Sequence, residues 1–199
     1  KTFMRKVAVK IRKLLWPRRF EGLIKGKVNV LFAGRFCPEK GIDTLLNVLK
    51  TMQDSEKYHF HIVGAGAYAN EIRDFAKHNN RISVYDKVYG LSQYIGSFDF
   101  LFMPSRFEGL PLLSIEASLA HTPTIINRSP GLKDTFPIDW PLAVDNNSVE
   151  AFVDIFRNKL VDINYEQLTD IAYKYAKDNF SIGKMQREYE AVYNFKIKM

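Results

Sequence analysis

FLFMPSRFEGLPLLSIEASLAHTPTIIN, residues 100–127, holds the alternation that decides the fold. Two short apolar runs, FLFM at 100–103 and TIIN at 124–127, flank a Gly/Pro loop and a helical stretch at 112–120. Strands this short with no polar alternation are buried on both faces, and crossover helices join them into parallel sheets. The same unit recurs on either side. VNVLF (28–32), FHIV (60–63), ISVY (82–85) and LAVD (142–145) read as further strands, with helices between them at 41–53, 67–78 and 91–96. Beyond the last strand the pattern is helical throughout, over 149–160, 165–178 and 182–195. The expectation is an α/β domain over 28–199: a doubly wound, mainly parallel six-stranded sheet with C-terminal helices.

A chain of 199 residues with 46% hydrophobic residues suits one globular domain. Its single cysteine, Cys37, excludes an intrachain disulfide and points to a reducing, cytoplasmic setting. No apolar run approaches the roughly 18 residues of a membrane span. The net charge of +7 is unevenly placed. Residues 1–27 carry ten Lys/Arg against Glu21 alone, a net of +9, which leaves −2 for the rest of the chain. Basicity belongs to the N-terminal segment, so nucleic acid is not an expected partner of the body.

That segment has its own pattern. Phe3, Val7, Ile11, Leu14 and Leu15 recur at spacings of three and four, with Arg5, Lys6, Lys10, Arg12 and Lys13 mostly opposite, which predicts a basic amphipathic helix over 2–16. Pro17 ends it, and residues 17–27 read as a connecting segment. The apolar face of such a helix either docks on a domain or lies on an anionic membrane, each basic residue near acidic lipid contributing about 1 kcal/mol.

Ligands of doubly wound sheets bind beyond the carboxyl ends of the strands, so the loops there carry the chemistry. After the first strand, AGRFCPEKG (33–41) turns at Gly34 and sets Arg35 and Lys40 at the mouth of a helix N-terminus, a place for a phosphate or diphosphate. After the second, Gly64, Gly66 and Ala69 match the dinucleotide fingerprint, with Asp86 twenty residues after Gly66. This keeps open an NAD(P)-dependent oxidoreductase, with pyrophosphate over the glycines and a ribose hydroxyl on Asp86. After the fourth, Glu108 and Glu116 lie eight apart, the first in the loop and the second about a turn into the helix. Gly109, Leu110 and Pro111 between them leave backbone N–H groups for oxygens. Two cations for a diphosphate, a carboxylate for ribose hydroxyls and another for sugar hydroxyls describe a nucleotide-sugar site. Two carboxylates about one bond would instead suit glycoside hydrolysis, which leaves the phosphate loop without a purpose. His59, His61, His78 and His121 are not spaced as metal ligands, and there is no D-x-D pair. No metal or cofactor is expected.

GRFCPEKG, the GAG turn and above all E-x7-E in EGLPLLSIEA resemble the donor-binding, Rossmann-like half of GT-B fold glycosyltransferases of retaining family four, from about Val28 to the C-terminus. The resemblance implies a hexosyltransferase using an NDP-sugar, UDP-linked, on a glycan or lipid-linked acceptor in surface polysaccharide assembly. It further implies that Arg35 and Lys40 hold the diphosphate, Glu108 contacts the transferred sugar with the N–H groups of Gly109 and Leu110, and Glu116 binds ribose. The base would lie near Lys87, Val88 and Tyr89, with Gly64 turning the chain beside the donor. EGLP stands where many members have EGFG, a form seen in polysaccharide-assembling members. The acceptor-binding N-terminal domain of that fold is absent, so the expectation is donor binding without turnover, peripheral at most to the inner face of the plasma membrane.

Overall fold

The computed structural model describes residues 18–197, so the basic helix expected over 2–16 lies outside the described residues. In chain order they form β1 (Val28–Ala33), α1 (Ile42–Thr51), β2 (Tyr58–Val63), α2 (Ala69–Lys77), β3 (Ile82–Tyr85) and β4 (Phe100–Met103). There follow α3 (Leu112–Leu119), β5 (Thr124–Asn127), β6 (Ala143–Val144), α4 (Val149–Asp154), α5 (Tyr165–Asn179) and α6 (Ile182–Ile197). The six strands pair in parallel in the order β3-β2-β1-β4-β5-β6. The chain therefore winds outward from β1 through β2 to β3, then returns to the other side of β1 and winds outward again. The reversal of direction lies between β1 and β4.

The strands are buried because both sheet faces are covered. On one face Phe102 meets Phe152 and Phe156 edge-on at ring separations of 5.0 and 5.5 Å, and Phe60 meets Phe156 at 5.5 Å. Each such ring stabilises the fold by about 1.5–3 kcal/mol when fully buried. The helix expected over 149–160 is interrupted by a π turn at Ile155–Lys159, in which the Phe156 carbonyl accepts a hydrogen bond from the Tyr58 hydroxyl. The extra residue of a π turn releases a carbonyl from the helical ladder, and a buried tyrosine hydroxyl takes it up.

The opposite face carries α3 and α5 and, unexpectedly, part of the segment read as a connector. Phe20 is buried against the rings of Tyr85, Phe98 and His61 at 5.1, 5.2 and 5.9 Å. Its N–H donates to Ser97 Oγ, and the Ile24 N–H donates to Asn29 Oδ1. Asn29 Oδ1 also accepts from His61 Nε2 at 2.9 Å. Residues 18–27 thus strap the sheet face, and the packed body begins at Phe20 rather than Val28.

Two smaller departures concern short elements. Residues 91–96 form two 3-10 turns, Leu91–Gln93 and Ile95–Ser97, in place of one helix, since a stretch this short with Gly96 in it cannot propagate an α-helix. The last strand is only Ala143–Val144.

Candidate functional site

In open α/β sheets the crevice for ligands opens where the strand order reverses, here between the loops after β1 and β4. The loop after β1 is anchored at Phe36, fully buried, whose N–H donates to the Ala65 carbonyl. It then makes a 3-10 turn at Pro38–Lys40 that presents the Lys40 side chain to the opposite loop. Lys40 Nζ donates to both oxygens of Glu108 at 2.6 Å each. Glu108 is 9% exposed and Lys40 23%, so this contact across 68 residues of sequence is a largely desolvated, charge-assisted pair. Arg35 is exposed; its carbonyl accepts from the Cys37 N–H, and its guanidinium makes no hydrogen bond or salt bridge among the described residues.

The turn carrying Glu108 is fixed from behind. Its N–H donates to the Pro130 carbonyl at 3.2 Å. Gly131 follows with φ +78°, and a Cβ there would stand 2.1 Å from the Glu108 carbonyl oxygen and 2.3 Å from that of Gly109. Only glycine lets the loop after β5 support this turn so closely. Among the described residues no hydrogen bond occupies the N–H of Gly109 or Leu110. Pro111 is buried one residue before α3, and the N–H and hydroxyl of Ser114 both donate to its carbonyl.

Glu116 lies half-buried on α3. Its carboxylate has no hydrogen bond or ion pair among the described residues, and burial lifts its pKa above the ordinary carboxylate value. A half-buried carboxylate without a protein donor has capacity to accept hydrogen bonds from water or from hydroxyl groups. At the end of β3, Lys87 Nζ sits 4.9 Å above the ring of Tyr89, which is 82% exposed. The sequence-predicted residues therefore lie at the strand ends; among their charged side chains in the described residues, Lys40 and Glu108 are in direct contact.

The glycine fingerprint has a packing explanation. A Cβ on Gly64 would meet the Gly34 carbonyl oxygen at 1.9 Å, and one on Gly66 would meet the backbone of Phe36 at 2.5 Å. These glycines admit the close approach of the neighbouring β1 loop. Asp86, assigned to a ribose in that alternative, pairs with Arg73 of α2.

Arg106 escaped the sequence reading. Its Nη atoms donate to both carboxylate oxygens of Asp43 at 2.6 Å and to the Pro38 carbonyl at 2.6 Å, and its N–H donates to the Glu39 carbonyl at 2.8 Å. The Arg106 hydrogen bonds and charge hold Asp43 below the usual aspartate pKa. The only signal was an arginine two residues before Glu108, and a lone loop arginine carries no pattern. Among the described residues no three His, Cys, Asp or Glu side chains gather as metal ligands would, and no helix is long and apolar enough to cross a membrane.

Residues 27–162 match the family model described as glycosyl transferases group 1. The chain is 30% identical over 177 residues to a 41.2 kDa protein of the cps region of Klebsiella pneumoniae, covering 85% of this chain and 47% of that protein. It is 25% identical over 180 residues to the putative teichuronic acid biosynthesis glycosyltransferase TuaC of Bacillus subtilis, covering 88% of this chain and 45% of that one. The fold is shared with Anabaena Alr3699/HepE, solved in complex with UDP, at a TM-score of 0.74 and 14% identity over 94% of this chain and 52% of that one. The chain spans about half the length of the curated relatives it matches.

Proposed function

The chain belongs to the glycosyl transferases group 1 family, and from that premise we propose that it is the nucleotide-sugar-binding unit of a retaining hexosyltransferase acting in surface polysaccharide assembly. The observation that supports this reading is the Lys40–Glu108 contact beside the strand reversal, which brings a cation and a carboxylate from two loops together where ligands of such sheets bind.

In this reading the donor diphosphate draws Lys40 away from Glu108 and adds Arg35, whose exposed guanidinium is available to it. Both cations oppose the negative charge that builds on the leaving phosphate oxygen as the glycosidic bond breaks. Glu108, released from Lys40, accepts hydroxyl hydrogen bonds from the transferred sugar, with the N–H groups of Gly109 and Leu110 bound to neighbouring oxygens. Glu116 accepts both ribose hydroxyls, which suits its half-buried, unpartnered carboxylate. The base lies against Lys87, Val88 and Tyr89. Gly34 and Gly64, in backbone contact, keep the first two loops low beneath the donor. No metal is required, because the two cations neutralise the diphosphate.

UDP is the proposed nucleotide, supported by the UDP complex of the Anabaena protein of the same fold. A surface polysaccharide or its lipid-linked precursor is the proposed acceptor, supported by the cps-region and teichuronic acid relatives. Those relatives are about twice as long as the matched region, which supports an acceptor-binding domain beyond these residues and donor binding without turnover by this chain alone. The proposed setting is cytoplasmic, with the basic segment at 2–16 either docked on a domain or held at an anionic membrane.

Calorimetric titration with UDP, GDP, ADP and NAD tests the reading. Saturable binding of one nucleoside diphosphate, tighter than NAD, is expected. Glu116→Ala should weaken the bare nucleotide, whereas Glu108→Ala should weaken only the sugar-bearing donor, each by about 1.5–3 kcal/mol. Preference for NAD, or equal losses for both ligands in both variants, overturns it.

A further inference from the structure

We infer that Arg106 is a positioning residue for the donor site: its clasp on Asp43 and on the Pro38 and Glu39 carbonyls sets Lys40 at the distance from which it serves Glu108 or a diphosphate. This rests on the nucleotide-sugar reading and adds to it a residue that touches neither sugar nor phosphate.

The geometry is specific. Arg106 stands in the loop after β4, two residues before Glu108, while Asp43 lies in the first turn of α1, three residues after Lys40. The guanidinium binds both Asp43 oxygens at 2.6 Å, and its Nη1 also donates to the carbonyl of Pro38, the first residue of the 3-10 turn that ends at Lys40. The backbone N–H of Arg106 donates to the carbonyl of Glu39, the residue before Lys40. Nη2 further reaches Thr44 Oγ1 at 3.4 Å, and Thr44 is buried. Every residue of the turn except Lys40 is therefore tied to Arg106 or to its salt-bridge partner. Lys40 alone is left to cross the crevice.

The guanidinium contact to Pro38, the Arg106 N–H on Glu39 and the two-pronged bridge to Asp43 just beyond the turn together hold it at several points. A lysine at 106 has three donors but only one nitrogen, so it cannot reproduce the two-nitrogen fork on Asp43 together with the Pro38 contact, and the turn would be held less firmly. The Lys40–Glu108 pair is the consequence: two side chains from loops 68 residues apart meet at 2.6 Å on both carboxylate oxygens only because their backbones are held in register. The Arg106–Asp43 bridge is over 40% exposed at both ends, so its contribution to overall stability is small. Its selective value would lie in placing a turn, which is how supporting contacts commonly act on a binding constellation.

The test is a double-mutant cycle on the full chain, read by calorimetry with UDP, GDP and ADP and by acetylation of Lys40 in the ligand-free protein, followed by peptide mass spectrometry. Arg106→Ala should weaken binding of the preferred nucleotide about tenfold, as should Lys40→Ala. The double variant should bind no more weakly than Lys40→Ala alone, because an unplaced lysine and an absent one are equivalent. Lys40 should acetylate several-fold faster in Arg106→Ala while Lys50, Lys77 and Lys133 keep their rates, and Arg106→Lys should recover only part of the protection. Where Arg106→Ala does not fold, Asp43→Asn loosens the same clasp from its other side. Losses that multiply in the double variant, or Lys40 acetylation unchanged by Arg106→Ala, overturn the inference. If the parent chain binds none of the three nucleotides, the nucleotide-sugar reading fails, and acetylation still decides whether the clasp places Lys40.

Discussion

Replacing Lys40 by methionine keeps most of the side-chain stem and removes the charge. Glu108 is then left 9% exposed with no cation, since no other basic side chain among the described residues pairs with it. Breaking a buried pair by deleting one partner costs about 3–5 kcal/mol. Here the vacated position is 23% exposed on the lysine side, so water reaches the carboxylate and the cost falls to about 2 kcal/mol. For a chain of this size each kcal/mol lowers the unfolding midpoint by roughly 2–4 °C, so Lys40→Met should melt roughly 4–8 °C lower at neutral pH. Glu108→Gln should cost less, about 1 kcal/mol, because the amide oxygen still accepts from Lys40 and the ammonium can turn outward.

The decisive variant combines the two. A glutamine beside a methionine leaves no uncompensated charge, so the double variant should be more stable than Lys40→Met alone, with a coupling of about 1–2 kcal/mol. Thermal and urea unfolding followed by circular dichroism would measure it. If the two losses add in the double variant, or if Lys40→Met melts with the parent, the pair is a solvated contact and the reasoning from burial is wrong.

Four other outcomes are expected of the same fold. Gly131→Ala should cost at least about 1–2 kcal/mol for its left-handed backbone alone, and its Cβ, 2.1 Å from the Glu108 carbonyl oxygen, should displace the turn and weaken the sugar-bearing donor more than the bare nucleotide in calorimetry. Phe20→Ala should lower stability by about 3 kcal/mol in urea unfolding, whereas a loss under about 1 kcal/mol would return residues 18–27 to the status of a connector. His61 is fully buried, and desolvation, with His59 adjacent, lowers its pKa from 6.5 to about 3. It is neutral in the fold while the unfolded chain takes up the proton first. Its contribution is complete above pH 6.5 and is lost as pH falls toward 3, amounting to about 2 kcal/mol by pH 5. Unfolding midpoints across this window should fall accordingly, and His61→Gln should flatten the slope. Glu116, whose pKa burial raises, works in the opposite sense near and above its ordinary value, so Glu116→Gln should steepen it.

The sheet was legible because its strands are short, nearly uniform apolar runs, and burial on both faces leaves no other reading of FHIV or FLFM. Strand order was not written in any residue, yet it is what converts Lys40 and Glu108 from loop charges into neighbours. Phe20 was missed because one aromatic between Pro17, Arg18, Arg19 and Gly22 has no period to detect, and only a cavity between His61, Tyr85 and Phe98 gives it a place. The glycine fingerprint misled for a related reason. Gly64 and Gly66 report that something approaches the backbone closely, and sequence cannot distinguish a pyrophosphate from the carbonyl of Gly34.

Arg106 and Gly131 were invisible in the sequence for the same reason, while Glu108 was not. A carboxylate in a Gly/Pro loop is chemically unusual wherever it stands, so it attracts attention from composition alone. A clasp and a missing Cβ have meaning only relative to the groups they hold, the Pro38 and Glu39 carbonyls in one case and the Glu108 and Gly109 carbonyls in the other. Both act on backbone oxygens, which every residue possesses and no sequence marks. Substitutions at 106 and 131 should therefore change ligand binding out of proportion to their chemical character, and substitutions at exposed Phe107, between Arg106 and Glu108 in sequence, should not act through the clasp. A Phe107→Ser variant that accelerated Lys40 acetylation as much as Arg106→Ala would show that the loop after β4 is held by its apolar side chains, and would remove the guanidinium from its proposed role.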